Sequence, residues 1–320
     1  MYLSNYLKPA GEAKFVDQYV TKMDQLLKST ELAEGVSEYA LVGAPLSKPS
    51  ISHSGASFAP GAIRQAMGSY STYSNEMSHD FRNLEIDDFG DILMHPTDVQ
   101  HSQGRITDSI DDLLSKRKID NLFVLGGDHS ISASSIDAFQ KRHGKVGVIQ
   151  FDAHHDLRNL EDGGPTNGTP FRRLIEGGSL KGEHLVQIGI RDFTNAAGYD
   201  DYANEHNVKV YTMKDVFEQK IDKIIEQSLH SLSKKVDAIY ISVDMDVLDQ
   251  AYAPGCPAIG PGGMDSYSLM KAVEICAQHK KTKAMDIVEI DPTLDLRNMT
   301  SRVAAHVLFS YLKGNHSKKL

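Results

Sequence analysis

The chain has 320 residues, of which 40% are hydrophobic, with a formal charge of −9 at pH 7 and two cysteines. Such a composition is typical of a globular protein and argues against a nucleic-acid partner, a disulfide framework and a membrane-spanning segment. Because the N-terminus also lacks the features of a targeting signal and no linker divides the chain, we expect one cytoplasmic domain over residues 1–320.

Short apolar runs alternate with longer amphipathic stretches along the chain. The runs predicted as strands are residues 39–44, 84–89, 121–125, 146–151, 185–190, 208–211, 238–243 and 284–290. Helical spacing of apolar residues covers 108–116, 132–142, 221–232 and 266–278. Several of the strands are continuous apolar runs, as in parallel strands that are covered on both faces. The alternation predicts an α/β protein, and periodicity leaves open whether its eight strands close into a barrel or form an open sheet.

Polar side chains that can carry chemistry lie at or just after the ends of four of these strands. They are Asp128-His129, the segment 152–156, Asp244-Met245-Asp246 and Glu289. In parallel α/β proteins, sites gather at the carboxyl ends of strands, because the connecting loops meet there. We therefore expect the four groups to converge on one point.

The segment 152–156 places acid, imidazole and acid at alternate positions. In extended backbone these three side chains project to one side, whereas His155 points away. Asp244 and Asp246 repeat the alternation, and His129 adds a second imidazole. Four carboxylates and two imidazoles without a thiolate suit two divalent cations, Mn²⁺ before Zn²⁺. Two such ions about 3.5–4 Å apart would hold a bridging hydroxide, which is a hydrolytic nucleophile.

The motifs GGDHS at 126–130, DAHHD at 152–156 and SVDMDVLD at 242–249 resemble the signature motifs of the ureohydrolases, the arginase and agmatinase family. The resemblance extends from Gly55 to Pro292. It implies a three-layer αβα fold with an open, mainly parallel eight-stranded sheet, two Mn²⁺ per subunit, and homo-oligomers that are usually trimers or hexamers. The implied ligands are His129, Asp152, Asp156 and Asp244 for one ion, and Asp152, His154, Asp244 and Asp246 for the other.

The resemblance also implies two catalytic residues. Glu289 matches the family glutamate that pairs with the cationic amidine or guanidine of the substrate, and a carboxylate can accept two N–H groups side by side. Asp156 is expected to orient the nucleophile and to pass its proton to the departing amine. Cys256 has no evident histidine partner, so we expect it to pack rather than to act as a nucleophile.

Departures from the family pattern bear on the substrate. Asn167 stands where arginases and agmatinases carry a histidine, and Arg158 stands where arginase carries an asparagine. A fixed cation at Arg158 would attract a carboxylate and repel the ammonium tail of agmatine. The sequence looks closest to the bacterial formimidoylglutamases, which cleave N-formimidoyl-L-glutamate to L-glutamate and formamide in histidine degradation. We therefore expect Arg158, Asn167, Arg191 and Glu289 to bind this small molecule, with Arg172 or Arg173 as alternatives for its second carboxylate.

Three other functions stay open from sequence. An agmatinase-like or guanidinobutyrase-like guanidino hydrolase would release urea. A deacetylase with a single zinc ion would leave His129 and Asp246 without a role. A catalytically silent scaffold would have no reason to keep six metal-binding groups together with Glu289.

Overall fold

A parallel sheet forms the centre of the protein in the computed structural model, which describes Leu7 and residues 15–319. Its strands are β1 (Leu27–Ser29), β2 (Gly35–Ala44), β5 (Ile86–Asp91), β6 (Arg117–Gly126), β7 (Val146–Phe151), β8 (Leu185–Ile190), β9 (Lys209–Thr212), β10 (Ala238–Asp244) and β11 (Thr282–Val288). The spatial order is β1-β5-β2-β6-β11-β10-β7-β8-β9, and every neighbouring pair is parallel. The short strands β3 (Tyr73–Ser74) and β4 (His79–Asp80) form a separate antiparallel pair.

Helices cover both faces of the sheet. They are α1 (Ala59–Met67), α2 (Val99–Lys116), α3 (Ile131–His143), α4 (Pro170–Glu176), α5 (Ala197–Glu205), α6 (Met213–Gln219), α7 (Ile221–Leu232), α8 (Ser266–Gln278) and α9 (Met299–Ser317). One hydrophobic core lies between the sheet and α1, α6, α7, α8 and α9, and a second lies between the sheet and α2 to α5. No helix in the described part of the chain is long and apolar enough to cross a membrane.

The central strands supply both cores because successive side chains point to opposite faces of a sheet. In β10, for example, Ile239 and Ile241 belong to the first core, whereas Ala238 and Tyr240 belong to the second. All seven residues of β10 are buried. This double burial explains why these strands read as continuous apolar runs in the sequence.

The predicted open αβα fold is confirmed, and the barrel alternative is wrong because β1 and β9 lie at opposite edges. All eight predicted strands are present. The ninth, β1, has only three residues, so it gives no recognisable period. Helix α2 begins at Val99 rather than near residue 108, because the side chain of Asp98 accepts a hydrogen bond from the backbone N–H of His101 and caps the helix.

Four neighbouring strands, β6, β11, β10 and β7, end at the same edge and carry the predicted polar groups. Gly127 lets the chain leave β6 close to the end of β2, since a Cβ there would lie 1.7 Å from the carbonyl oxygen of Leu46. The same carbonyl accepts a hydrogen bond from the backbone N–H of Asp128 at 2.7 Å. The turn therefore brings His129 over the ends of β7 and β10.

Candidate metal centre and active site

The first predicted group of ligands surrounds the ring of His129. Its Nδ1 lies 3.1 Å from Oδ2 of Asp152, 2.8 Å from Oδ2 of Asp156 and 3.1 Å from Oδ2 of Asp244. One donor atom from each of the four residues lies within 4.8 Å of the others. The structure thus brings together side chains from the ends of β6, β7 and β10.

The second group shares Asp152 with the first. Nδ1 of His154 lies 3.0 Å from Oδ2 of Asp246 and 3.5 Å from Oδ1 of Asp152. Asp152 therefore directs one oxygen toward each group, which is the geometry of a bridging ligand. Asp244, also expected to bridge, falls in the first group only, and its Oδ1 accepts a hydrogen bond from the backbone N–H of Asp246 at 2.8 Å.

The tautomer of His129 is fixed by a buried serine. The hydroxyl of Ser242 donates its hydrogen to Oδ1 of Asp286 at 2.8 Å, so its 2.9 Å contact with Nε2 of His129 must be an N–H donated by the ring. In the neutral ring Nδ1 then carries the lone pair, and it is directed at three carboxylates. This buried atom has no hydrogen-bond partner among the described residues. A ring held in this way is ready to ligate a cation.

The electrostatics of the cluster also call for cations. Burial and the charge of Asp152 raise the pKa of Asp156 to about 6, and burial with the charges of Asp246 and Asp152 raises the pKa of Asp244 well above its usual range. Burial opposes the charged form of His129, but the surrounding carboxylates outweigh it and raise the pKa of the ring. The buried carboxylates repel one another when no cation is present. Two divalent cations would offset this repulsion, and four carboxylates with two imidazoles are a suitable donor set for them.

Backbone strain places two of the polar residues. Asp156 has φ of 53° and Glu289 has φ of 60°, in the left-handed region that costs other residues than glycine about 1–3 kcal/mol. Strand β7 ends at Phe151 as predicted, and the segment 152–156 is an irregular loop with a bend at residues 153–154 rather than the extended backbone that we expected. Its acids and imidazole still face one cluster, because the conformation at Asp156 turns that side chain back toward His129.

Glu289 lies beside the cluster at the end of β11. Its Oε1 accepts hydrogen bonds from the backbone N–H of His129 at 2.8 Å and from Nδ2 of Asn167 at 3.1 Å. Burial, together with the charge of Asp128, raises the pKa of Glu289 to about 8. A nearby cationic group would stabilise the ionised carboxylate.

These groups open into a cavity of about 310 Å³. His154, Asp156, Asp244, Asp246 and Glu289 line its floor, and the residues nearer the mouth include Ser52, Arg158, Asn167, Asn195 and Tyr199. The floor is thus acidic, whereas the mouth carries the guanidinium of Arg158, which is exposed and lies 5.6 Å from the centroid of the Tyr199 ring.

The structure places the other predicted arginines away from the cavity wall. Arg191 is buried, and its Nη2 donates to the carbonyl oxygens of Asp246 and Leu248. It therefore holds the ligand-bearing turn after β10 rather than facing a substrate. Arg172 pairs with Glu176 on α4, and Arg173 does not line the cavity.

His155 points away from the cluster, as alternation predicted, and it is buried. Its Nδ1 lies 2.7 Å from Oε1 of Gln187. Gln187 donates to Oε1 of Gln150 at 2.7 Å, and Gln150 donates to Oδ2 of Asp152 at 2.6 Å. This amide chain fixes the shared ligand from behind.

Sequence reasoning missed the supporting residues Gln150, Gln187, Ser242 and Asp286. A signal was present, because each is a polar residue flanked by buried apolar residues inside a central strand. A buried strand keeps a polar side chain only where that side chain has a partner.

Cys256 is buried, and burial raises the pKa of its thiol well above the usual range. A thiol held protonated in this way favours the predicted packing role.

An open αβα sheet with this donor cluster at its strand ends defines a metal-dependent hydrolase. A family model described as the arginase family matches residues 37–313, and the chain belongs to the arginase family. The chain is 56% identical to the formimidoylglutamase of Halalkalibacterium halodurans over 310 residues, which cover 97% of each chain. It is 50% identical to that of Bacillus subtilis strain 168 over 309 residues, covering 97% of this chain and 96% of the relative. The crystal structure of the B. subtilis protein matches with a TM-score of 0.92 over 97% of this chain and 96% of that one.

Proposed function

We propose that the protein hydrolyses N-formimidoyl-L-glutamate to L-glutamate and formamide, with two Mn²⁺ ions per subunit. The observation that carries this proposal is the polarity of the cavity, which is acidic at its floor and carries Arg158 at its mouth. The substrate has the matching polarity, with a cationic amidine at one end and carboxylates at the other. The names of the two relatives that match nearly the whole chain support the same reaction.

The reaction balances as a hydrolysis. Water adds its oxygen to the formimidoyl carbon, and the bond between that carbon and the glutamate nitrogen breaks. For the cationic substrate, both protons of water end on the departing nitrogen, which gives formamide and the ammonium group of L-glutamate. The protein must therefore bind the amidine, supply a nucleophile and protonate the departing nitrogen.

Glu289 and Asp156 meet the first and the last of these needs, and Arg158 serves the other end of the substrate. Glu289 accepts an N–H group of the cationic head through Oε2 and keeps the carbon above the cluster. Asp156 lines the cavity beside His129 and moves a proton from the attacking water to the departing amine. Arg158 attracts the carboxylate end of the substrate. Divalent cations held by the donor cluster would lower the pKa of water and so supply the nucleophile near neutral pH.

Manganese is the ion that the donors favour. Carboxylate oxygens outnumber imidazole nitrogens, and no thiolate lies in the cluster, so a harder divalent ion is preferred over zinc. A homo-oligomer of three or six chains and a cytoplasmic location stay predictions, and sedimentation of the purified protein tests the first of them.

The test is an assay of the manganese-loaded protein on formimidoylglutamate, agmatine, arginine and 4-guanidinobutyrate, with metal content measured in parallel. We expect two ions per chain and formamide with glutamate from the first substrate alone. Urea from any of the others would replace this proposal with a guanidino hydrolase. One zinc ion per chain would favour the deacetylase, and two bound ions without any turnover would favour a silent scaffold.

A further inference from the structure

The two carboxylate oxygens of Glu289 have different surroundings. Oε1 accepts two hydrogen bonds, from the backbone N–H of His129 and from the amide of Asn167. Oε2 has no hydrogen-bond partner among the described residues, and Glu289 lines the cavity. The cationic head of a bound substrate therefore finds one free oxygen of Glu289, Oε2, rather than two.

The amide of Asn167 is held in a single orientation. The backbone N–H of Ile51 donates to its Oδ1 at 3.0 Å, which requires the oxygen of the amide to point that way. Its Nδ2 then faces Oε1 of Glu289, with a weaker contact of 3.4 Å to the hydroxyl of Ser50. The backbone N–H of Asn167 also donates to the carbonyl of Pro49 at 3.2 Å, so the loop and the amide fix each other.

Amidine and guanidine heads differ in the number of acceptors they need. A protonated formimidoyl group carries one terminal amino group, and a C–H takes the place of the other. A guanidinium carries two terminal amino groups, which pair best with both oxygens of a carboxylate side by side. In a closed site, an N–H left without an acceptor loses its hydrogen bond to water and gains nothing in return.

We infer that Asn167 is a specificity-determining residue, because by occupying Oε1 it leaves Glu289 a single acceptor that suits a formimidoyl head and disfavours a guanidino head. The inference rests on the proposed function, since it concerns how the same site chooses among substrates of one reaction class. Asn167 acts through Glu289 and is therefore a positioning residue.

The experiment compares two substrates with the same glutamate tail, N-formimidoyl-L-glutamate and N-carbamimidoyl-L-glutamate. In Asn167→Leu, Oε1 of Glu289 keeps only the bond from the backbone N–H of His129 and can accept a substrate N–H, so we expect the ratio of kcat/KM values to shift toward the guanidine by roughly 10- to 100-fold. Asn167→Asp keeps an acceptor for the N–H of Ile51 but donates nothing to Glu289 when ionised, so it should shift the ratio in the same direction. Ser50→Ala removes only the weaker contact and should leave the ratio unchanged.

Two further readouts separate specificity from a general disturbance of the loop. The inhibition constant of L-glutamate, which has the tail without the head, should stay the same in Asn167→Leu, and so should the content of two metal ions. Equal losses of kcat/KM on both substrates in both Asn167 variants, with the ratio unmoved, would overturn the inference and leave Asn167 as a loop anchor. Failure of the unmodified protein to cleave formimidoylglutamate would instead overturn the proposed function.

Discussion

The floor and the mouth of the cavity are built in different ways. The donor side chains at and directly behind the floor follow central strands, and two of them are held by a second polar group, since Ser242 holds His129 and Gln150 holds Asp152. At the mouth, Arg158 is exposed, and Asn167 is held by a loop rather than by the sheet. Rigid elements fix geometry more closely than loops do.

This difference separates the chemistry of the site from its choice of substrate. A hydrolytic cluster tolerates little displacement, since small misplacements cost large factors in rate. Recognition of a flexible carboxylate tail needs only a charge at about the right distance. Changes at the floor should therefore lower kcat or metal content, whereas changes at the mouth should act on KM or on the ratio between substrates.

The largest effect is expected for Asp156→Asn at the floor. The substitution removes a group that both faces His129 and handles a proton, so kcat should fall by roughly 10²–10⁴-fold. Turnover of formimidoylglutamate and metal content measure it. Asp162→Asn, the same change on an exposed loop, is the control and should be neutral. An Asp156→Asn protein with two metal ions and full turnover would contradict the proton-transfer role.

Removing the metal should make the stability of the protein strongly dependent on pH. Without cations, burial chiefly raises the pKa of Asp128 to about 7, and burial with the charge of Asp128 raises that of Glu289 to about 8. The folded protein then holds protons that the unfolded chain releases above about pH 4, so its free energy of unfolding falls as pH rises from about 5 to 8. His154, whose pKa the charge of Asp246 raises to about 12, adds to this loss above about pH 6.5.

Thermal unfolding with and without Mn²⁺ tests this prediction. Because bound cations replace the protons, the increase in Tm that the metal produces should be larger at pH 8 than at pH 5.5. An increase in Tm that is the same at both pH values would mean that the buried acids are not the groups that oppose folding.

A smaller effect, on KM, is expected at the mouth. Arg158→Ala should raise KM for formimidoylglutamate by about tenfold with little change in kcat, because an exposed charge gives a modest and salt-dependent attraction. Arg172→Ala, which changes an arginine outside the cavity, should leave KM alone. A fall in kcat without a rise in KM would place Arg158 in the chemistry instead of in substrate binding.

The sequence predicts the floor better than the mouth for a physical reason. The cluster residues lie in short motifs directly after buried strands, so chain order fixes which of them converge. The mouth consists of loops that are distant in sequence, such as the contact between Ile51 and Asn167. Position after a strand does not by itself predict where a side chain points. Arg191 follows a strand as the ligands do, yet its side chain turns inward and donates to backbone carbonyls.

The smallest effect is expected behind the floor, in the amide chain that ends at Asp152. Gln187→Leu removes the donor to Oε1 of Gln150, so the hydrogen bond from Gln150 to Asp152 loses its fixed direction. Supporting partners of metal ligands typically contribute a factor of about 10–100 in affinity, and Gln187 is one step further away, so Mn²⁺ should bind about tenfold more weakly.

Calorimetric titration of the metal-free protein with Mn²⁺ measures this change. Gln103→Leu on α2 is the matched control, because Gln103 is also buried but lies outside the cavity lining. If both variants bind Mn²⁺ as the unmodified protein does, Asp152 is fixed by its own backbone, and the amide chain serves only to satisfy buried polar groups. A loss confined to Gln187→Leu would show that the rigidity of the floor extends beyond the residues that touch the metal.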